Sequence, residues 1–470
     1  MKLRLTSAII AGRSAAKLSR VCGNDGSSLP GMVARKLYPP ALEELAGQVR
    51  RGIIVISGTN GKTTTANMIT GMLQEAGFKV ISNREGANMI SGITTSFIMN
   101  SVTSGKIDCD YAVIETDEAS IPEVLKNLSP KVVVLTNFFR DQLDRYWEME
   151  KVIGVIRDAL LGQSQATLVL NADDPLVAQF QDTTGLQSYF FGLAGDENSN
   201  KGSTSIREAK FCPFCSSALV YDYYHYGQLG AYSCPGCGFK RPRPQVEAVQ
   251  SGGAAGDLSS YQLSCQGGTV PRENMEIQTR GLHNLYNALA AFSVGLQLDI
   301  DAQTILHSLK KYQPAIGRME RFKYGDKHAY LNLVKNPAGF DQGLRTLYEA
   351  QGTKDVFIAL NDNFADSRDI SWIWDVDFEI LGADHQHLRR FMCSGLRGED
   401  MALRLKYAGV PAEKIAVNAD MRRAIKTSLS GSGGETYIFS TYTALRPVHK
   451  IVKSLVEKGA ANDQGMSSVS

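Results

Sequence analysis

The sequence predicts an α/β protein with two successive parallel-sheet domains, the first carrying a small insertion. Three observations predict it. Short, apolar, β-branched runs alternate with stretches of helical periodicity. The alternation is interrupted over 195–260 by chain rich in Gly, Ser, Asn and Pro that holds two Cys-x-x-Cys pairs. It breaks again at Pro314-Ala-Ile-Gly317, before a second series of strands. Strand–helix alternation implies crossover helices and a parallel, doubly wound sheet.

The elements follow in order. Residues 1–45 read as helical up to the Pro39-Pro40 break. Gly52-Ile-Ile-Val-Ile-Ser-Gly58 is a buried strand bounded by glycines. Thr63–Ala76 has helical spacing through Met68, Ile69, Met72 and Leu73, and Gly77 closes it. Tyr111–Glu115, Lys131–Thr136 and Thr167–Asn171 read as further buried strands, and Asn284–Leu298 as a helix. Beyond the break, Ala329–Val334, Asp355–Leu360, Phe378–Leu381, Lys414–Val417 and Thr436–Phe439 read as strands of a smaller domain. The expected organisation is a helical segment 1–45, a central domain 46–315 with an insertion at about 205–245, a C-terminal domain 316–460, and a disordered tail 461–470.

Composition narrows the function class. The 470 residues include 50 basic and 48 acidic side chains, so net charge is only +2 and no large basic surface for nucleic acid is expected. No apolar run reaches the roughly 18–20 residues that span a bilayer. The start, MKLRLTSAIIAGRSAAKLSR, is basic and mildly apolar, but its apolar core Ser7–Ala11 is too short for a signal peptide. It reads as an amphipathic helix of a cytoplasmic protein, with at most peripheral membrane contact. Of eight cysteines, Cys22, Cys109, Cys265 and Cys393 are scattered, which fits a reducing compartment with one metal site.

That site is Cys212-Pro-Phe-Cys215 with Cys234-Pro-Gly-Cys237, separated by 18 residues. Two thiolate knuckles at this spacing make a tetrahedral site, most often for Zn²⁺, and four protein ligands leave no open position, so the role is structural. Tyr221, Tyr223, Tyr224 and Tyr226 between the knuckles fit a β-ribbon. Lys240-Arg-Pro-Arg243 is too short a basic run to indicate nucleic-acid binding.

Gly58-Thr59-Asn60-Gly61-Lys62-Thr63-Thr64 lies between the first strand and the first helix. Glycines there let backbone N–H groups turn onto phosphate oxygens, and the helix N-terminus adds a positive dipole end. Thr59, Asn60, Gly61, Lys62, Thr63 and Thr64 are therefore candidates for an ATP site, with Lys62 at the β/γ-phosphates and the Thr63 hydroxyl on Mg²⁺. Ile56 occupies the place where the general phosphate-loop pattern has its first glycine, so the fit is to a shorter form.

This GTNGKTTT form resembles the Mur ligase superfamily, and further segments agree. Glu115, at the carboxyl end of its strand, resembles the family's Mg²⁺-binding glutamate. Thr136-Asn137 through Asp141-Gln142-Leu143-Asp144 resembles its TN…DHLD segment, departing at Gln142 where the family has a histidine. Leu170-Asn171-Ala172-Asp173-Asp174-Pro175 resembles its nucleotide-proximal LNxDDP segment, Gly281-Leu-His283-Asn284 the helix start where Asn284 would contact adenine, and Gly317-Arg318 the turn whose arginine approaches the phosphates. The resemblance implies a Mur ligase-like central ATPase domain with an inserted zinc ribbon and a C-terminal Rossmann-like domain. It also implies ATP and Mg²⁺ as cofactors, with Lys62 and Glu115 in the catalytic machinery and Asn137 and Asp173 near the nucleotide.

Within the superfamily, the inserted ribbon and the stretches Leu333–Phe340, Leu360–Asp375 and Ser394–Gly409 resemble the MurT family. That resemblance implies ATP-dependent amidation of the D-glutamate α-carboxylate of lipid II through an acyl phosphate. Ammonia would come from a GatD-like glutaminase partner, whose Cys–His pair an aspartate of this chain completes. The candidates are Asp366, then Asp369, then Asp362. The competing readings are an amino-acid-adding Mur or folylpolyglutamate ligase, a nucleic-acid-binding zinc-ribbon ATPase, and a degenerate structural subunit.

Overall fold

The computed structural model describes residues 2–21, 26–83, 87–140, 149–195, 208–250, 259–265, 273–383 and 386–466. It divides into two compact units. One comprises Met1–Phe139, Glu148–Gln278 and His283–Tyr312; the other comprises Arg140–Trp147, Thr279–Leu282 and Gln313–Ser470.

The first unit begins with helices α1 (Lys2–Val21), α2 (Leu29–Leu37) and α3 (Ala41–Ala46). Its strands are β1 (Gly52–Ser57), β2 (Val80–Ser82), β3 (Tyr111–Glu115), β4 (Val132–Leu135), β5 (Thr167–Asn171), β6 (Ser188–Leu193), β7 (Val220–Tyr226), β8 (Leu229–Ser233), β9 (Val246–Gln250), β10 (Ser259–Cys265) and β11 (Glu273–Ile277). Nine of them form one sheet in the order β11-β10-β9-β6-β5-β4-β1-β3-β2, while β7 and β8 pair as a separate hairpin. β10 runs antiparallel to both neighbours. The pairs from β2 across to β9 are parallel. β1 is central: every residue after Gly52 is buried, as a β-branched strand covered on both faces requires. Helices α4 (Lys62–Glu75) and α5 (Ile90–Asn100) cross back from β1 and β2. Leu5, Ala8, Ile9, Ala34, Leu42 and Leu45 share one core with β1 and β3, so the 1–45 segment belongs to this unit.

The second unit carries β12 (Arg318–Tyr324), β13 (Lys327–Leu333), β14 (Lys354–Ala359), β15 (Leu388–Ser394), β16 (Ile415–Val417) and β17 (Glu435–Ser440). Their order is β12-β13-β17-β14-β15-β16. Only the β12–β13 pair is antiparallel. Alternate residues serve opposite faces: Val356, Ile358, Tyr437 and Phe439 face one core, and Phe357, Ala359 and Ile438 the other. That is the two-sided covering of a doubly wound sheet.

Three sequence expectations are corrected. Phe378–Leu381 is not a strand; Glu379–Ala383 is a short helix, and Phe378 and Leu381, both fully buried, sit at helical i, i+3 spacing. The strand of that region is β15, whose charged Arg389 and Arg390 hide its period. The anomalous stretch 195–260 is not all insertion, because β9 and the start of β10 extend the main sheet. Nor does disorder begin at 461: the helix Tyr442–Met466 continues through the helix-forming Ala460 and Ala461, and 467–470 lie outside the described residues. Among the described residues, no helix is long and apolar enough to cross a membrane.

Candidate active site and metal centre

The phosphate loop follows the buried β1 and ends at the first residue of α4. Gly61 is the N-cap of α4, at φ +89°, and supplies no side-chain cap. The loop is braced from β4. Asn137 accepts from Asn60 N–H at 3.0 Å and donates to Asn60 C=O at 3.1 Å. Thr136 Oγ1 donates to the same carbonyl at 2.7 Å. Thr59 Oγ1 exchanges hydrogen bonds with the Phe139 backbone at 3.0 and 3.1 Å. Two glycines are sterically required. A Cβ at Gly58, φ +120°, would meet Thr136 Oγ1 at 2.3 Å, and one at Gly61 would meet Asn287 Oδ1 at 2.1 Å.

Lys62 is 6% exposed, and its Nζ donates to the Gly58 and Thr59 carbonyls at 2.5 and 3.2 Å, folding back over the loop. It also reaches Glu118 Oε2 at 3.1 Å, a pair buried on both sides. Glu115 ends β3 beside Ile56 of β1. Its backbone is held by Asn83 at 2.7 and 2.9 Å, and its buried side chain makes no hydrogen bond or ion pair among the described residues. A buried carboxylate at the carboxyl edge of a parallel sheet, together with a glycine-capped helix N-terminus after the adjacent strand, fits a magnesium nucleotide. Thr63 lies on the first turn of α4, half-buried, and Thr64 beside it is buried.

Asp173 and Asp174 follow β5 and are fully buried. Asp173 accepts from Arg241 Nε at 2.5 Å, Tyr286 OH at 2.7 Å and Leu193 N–H at 2.8 Å, so its carboxylate joins three elements. Asp174 accepts from the Phe138 and Leu176 N–H groups at 2.9 and 3.0 Å, yet burial pushes its pKa up to about 7. Asn284 and Asn287, buried on the helix Leu282–Gln297, are 3.3 Å apart, and Asn287 reaches Thr65 Oγ1 at 3.4 Å. Asp141, Gln142 and Asp144 lie outside the described residues.

The four cysteines converge. Their Sγ atoms lie within 4.8 Å of one another, with Cys212–Cys237 at 3.5 Å and Cys215–Cys234 at 3.4 Å. Zn–S bonds of about 2.3 Å in a tetrahedron put sulfurs about 3.8 Å apart, so the donor set fits. Each knuckle turns through a left-handed residue, Ser216 at φ +59° and Gly238 at φ +80°. The hairpin β7–β8 ties the centre to the sheet: Tyr232 OH donates to Ala172 C=O at 3.1 Å, Gln228 Nε2 to Phe138 C=O at 2.5 Å, and Tyr226 stacks on Phe139 at 5.9 Å.

In the second unit the candidate aspartates differ in access. Asp366 is 3% exposed; it accepts from Thr443 N–H at 2.7 Å and from the Thr443 hydroxyl, fastening the start of the last helix. Asp362 pairs with Arg397 at 2.7 Å. Asp369 is exposed, and the Ser371 N–H, at 2.8 Å, holds its pKa below the usual carboxylate value. Arg318 opens β12 after Gly317, whose φ is +70°.

Two family models match the chain: Mur ligase middle domain over 56–221 and MurT ligase C-terminal over 333–445. The chain is 39% identical to "Lipid II isoglutaminyl synthase (glutamine-hydrolyzing) subunit MurT" of Staphylococcus aureus (strain N315), over 97% of this chain and 100% of that protein. The chain belongs to the MurT family. A second MurT, from Streptococcus pneumoniae (strain ATCC BAA-255 / R6), is 35% identical over 97% of this chain and 98% of its own. The fold also matches solved structures. A pseudomurein peptide ligase type C from Methanothermus fervidus has TM-score 0.65 and 24% identity, covering 87% of this chain and 80% of that one. MurF ligase from Thermotoga maritima in complex with ADP has TM-score 0.60 and 16% identity, covering 91% and 84%.

In this MurT-family chain the structure adds residues that sequence reasoning missed. Glu118 is the buried partner of Lys62, and its signal was its place three residues beyond Glu115 on the same strand exit. Arg241, from the short basic run Lys240–Arg243, is the partner of Asp173, with its side chain 14% exposed. Asn287, in the same helix start as Asn284, is the residue against which Gly61 packs.

Proposed function

We propose that this chain is the synthetase subunit that amidates the α-carboxylate of D-glutamate in the lipid II stem peptide. The observation that carries the reading is the end-to-end match to MurT proteins combined with an intact phosphate loop. A carboxylate is a poor electrophile, so ATP supplies a phosphate leaving group and ammonia displaces it from the acyl phosphate. Magnesium, held by Thr63 and Glu115, would screen charge between ATP and the carboxylate. Lys62, positioned by Glu118, neutralises charge developing on the transferred phosphoryl group. Asn284 and Arg318 are the adenine and phosphate contacts of this reading, and the four cysteines hold Zn²⁺.

A glutaminase subunit supplies the ammonia. Asp369 is the residue best suited to complete that partner's Cys–His pair, because it is exposed and stays ionised, whereas Asp366 is committed to Thr443. Trp374, 51% exposed, and Tyr407, 70%, meet edge to face at 5.7 Å and give the second unit an exposed aromatic pair of the kind that anchors a partner.

The test is amidation of lipid II by the purified chain with ATP and ammonium chloride, without a partner, read by mass. A loss of about one dalton that needs ATP supports the reading. Activity only when an amino acid replaces ammonia overturns it in favour of an amino-acid-adding ligase.

A further inference from the structure

We propose that the outer face of α1, extended by α2, is a docking surface for an anionic membrane. α1 is apolar on two faces. Leu5, Ala8, Ile9 and Ala16 are buried against the first unit. The opposite face exposes Leu3 at 84%, Ile10 at 49%, Leu18 at 66% and Val21 at 85%. Positions 3, 10, 18 and 21 fall within about a quarter of a turn of the helix, so these side chains lie on one face. Packing against the core explains the first face and leaves the second without a structural reason. On α2, which packs beside α1, Leu29, Met32 and Leu37 are also exposed.

Charge selects the occupant. α1 and α2 together carry Lys2, Arg4, Arg13, Lys17, Arg20, Arg35 and Lys36 and no acidic residue, in a chain whose acids and bases otherwise nearly balance. Arg35 is engaged with Glu123 at 2.7 Å, and Arg13 with the Ile98 carbonyl at 3.3 Å. Arg4 and Lys17 are exposed and flank the apolar stripe, and Arg20 is exposed on the last turn of the same helix. An apolar stripe edged by cations lies in the interface of an anionic bilayer, with the side chains in the headgroup–acyl boundary and the ammonium and guanidinium groups on lipid phosphates. Each basic residue near such a surface strengthens binding about fivefold. The purpose of the surface rests on the lipid-linked substrate proposed above; the surface itself does not.

The test is sedimentation of the full chain, alone and with its glutaminase subunit, with phosphatidylcholine vesicles and with vesicles that also contain phosphatidylglycerol. No lipid II is present, so the result is independent of the catalytic reading. Phosphatidylglycerol should raise partition at least about tenfold, and high salt should reverse most of that gain. Ile10→Ser/Leu18→Ser and Lys17→Glu/Arg20→Glu should each lower partition about tenfold or more, with unchanged circular dichroism and unchanged amidation of detergent-dispersed lipid II. Equal partition onto neutral and anionic vesicles, or variants that bind as the parent does, would overturn the proposal. So would variants that weaken glutaminase association or self-association while the parent ignores vesicles, since the face would then belong to a protein.

Discussion

Asp173 and Arg241 form a buried ion pair, Oδ1 to Nε at 2.5 Å, that joins the end of strand β5 to the chain just after the last of the four clustered cysteines. Replacing Arg241 with Ala leaves the fully buried Asp173 carboxylate, among the described residues, with only Tyr286 OH and the Leu193 N–H as donors. Breaking one side of a buried pair costs about 3–5 kcal/mol. Urea unfolding of Arg241→Ala should show a loss of that order in the first unit. A variant as stable as the parent would mean that the pair is neutral at this site.

Metal removal should act on the nucleotide site as well as on stability. The path is short: Tyr226 of the ribbon hairpin stacks on Phe139, and the Phe139 backbone fixes Thr59 of the phosphate loop. Chelation, or Cys234→Ser, should lower the melting temperature and weaken ATP binding together. Thermal melts with and without nucleotide, in parallel with metal analysis, read both effects. Unchanged ATP affinity in the metal-free chain would limit the ribbon to local stability.

Asp369→Asn should separate the two half-reactions. Glutamine-dependent amidation should fall about a hundredfold or more, as removing a group that orients a general base does. Ammonia-dependent amidation should persist. Asp366→Ala should instead lower stability, because Thr443 loses its acceptor. Paired assays with glutamine and with ammonium chloride distinguish the two aspartates.

Gly61→Ala should abolish ATP use. The substitution places a Cβ 2.1 Å from Asn287 Oδ1 and forces an L-residue to φ +89°. Left-handed backbone alone costs about 1–2 kcal/mol, and the clash adds a shift of α4 away from the helix that carries Asn287. Nucleotide binding followed by fluorescence should be lost while the second unit still melts cooperatively.

Asp174 should make stability fall with rising pH. Its folded pKa, about 7, lies above the unfolded value, which is about 3.9. The folded chain therefore holds a proton that the unfolded chain has released between about pH 4 and 7. The contribution is full below the lower value and lost as pH rises through the upper one. Asp174→Asn should remove that slope, measured by thermal unfolding at several pH values in this window.

The sequence exposes the features that local chemistry forces. The β1–loop–α4 unit is legible because a phosphate cradle needs Gly58, Gly61 and Lys62 in fixed order. The four-cysteine cluster is legible because metal-ligating thiolates come in spaced pairs. β15 and β9 were not, since their burial is set by neighbours distant in sequence and their charged residues mask the period. The partnerships of Glu118 and Arg241 are likewise tertiary: nothing in 118 or 241 names Lys62 or Asp173 until the strands align. That the last helix engages Asp366 through Thr443 is a fact of packing rather than of motif.

β6 and β9 are adjacent and parallel, yet the whole ribbon lies between them in the chain. Parallel neighbours cannot be joined by a tight turn; the chain must travel back the length of a strand before it can start the next. The cysteine module therefore makes that return journey where a helix would ordinarily serve. It is a splice in the sheet's wiring, and excising it would leave two ends at opposite ends of neighbouring strands with nothing to connect them.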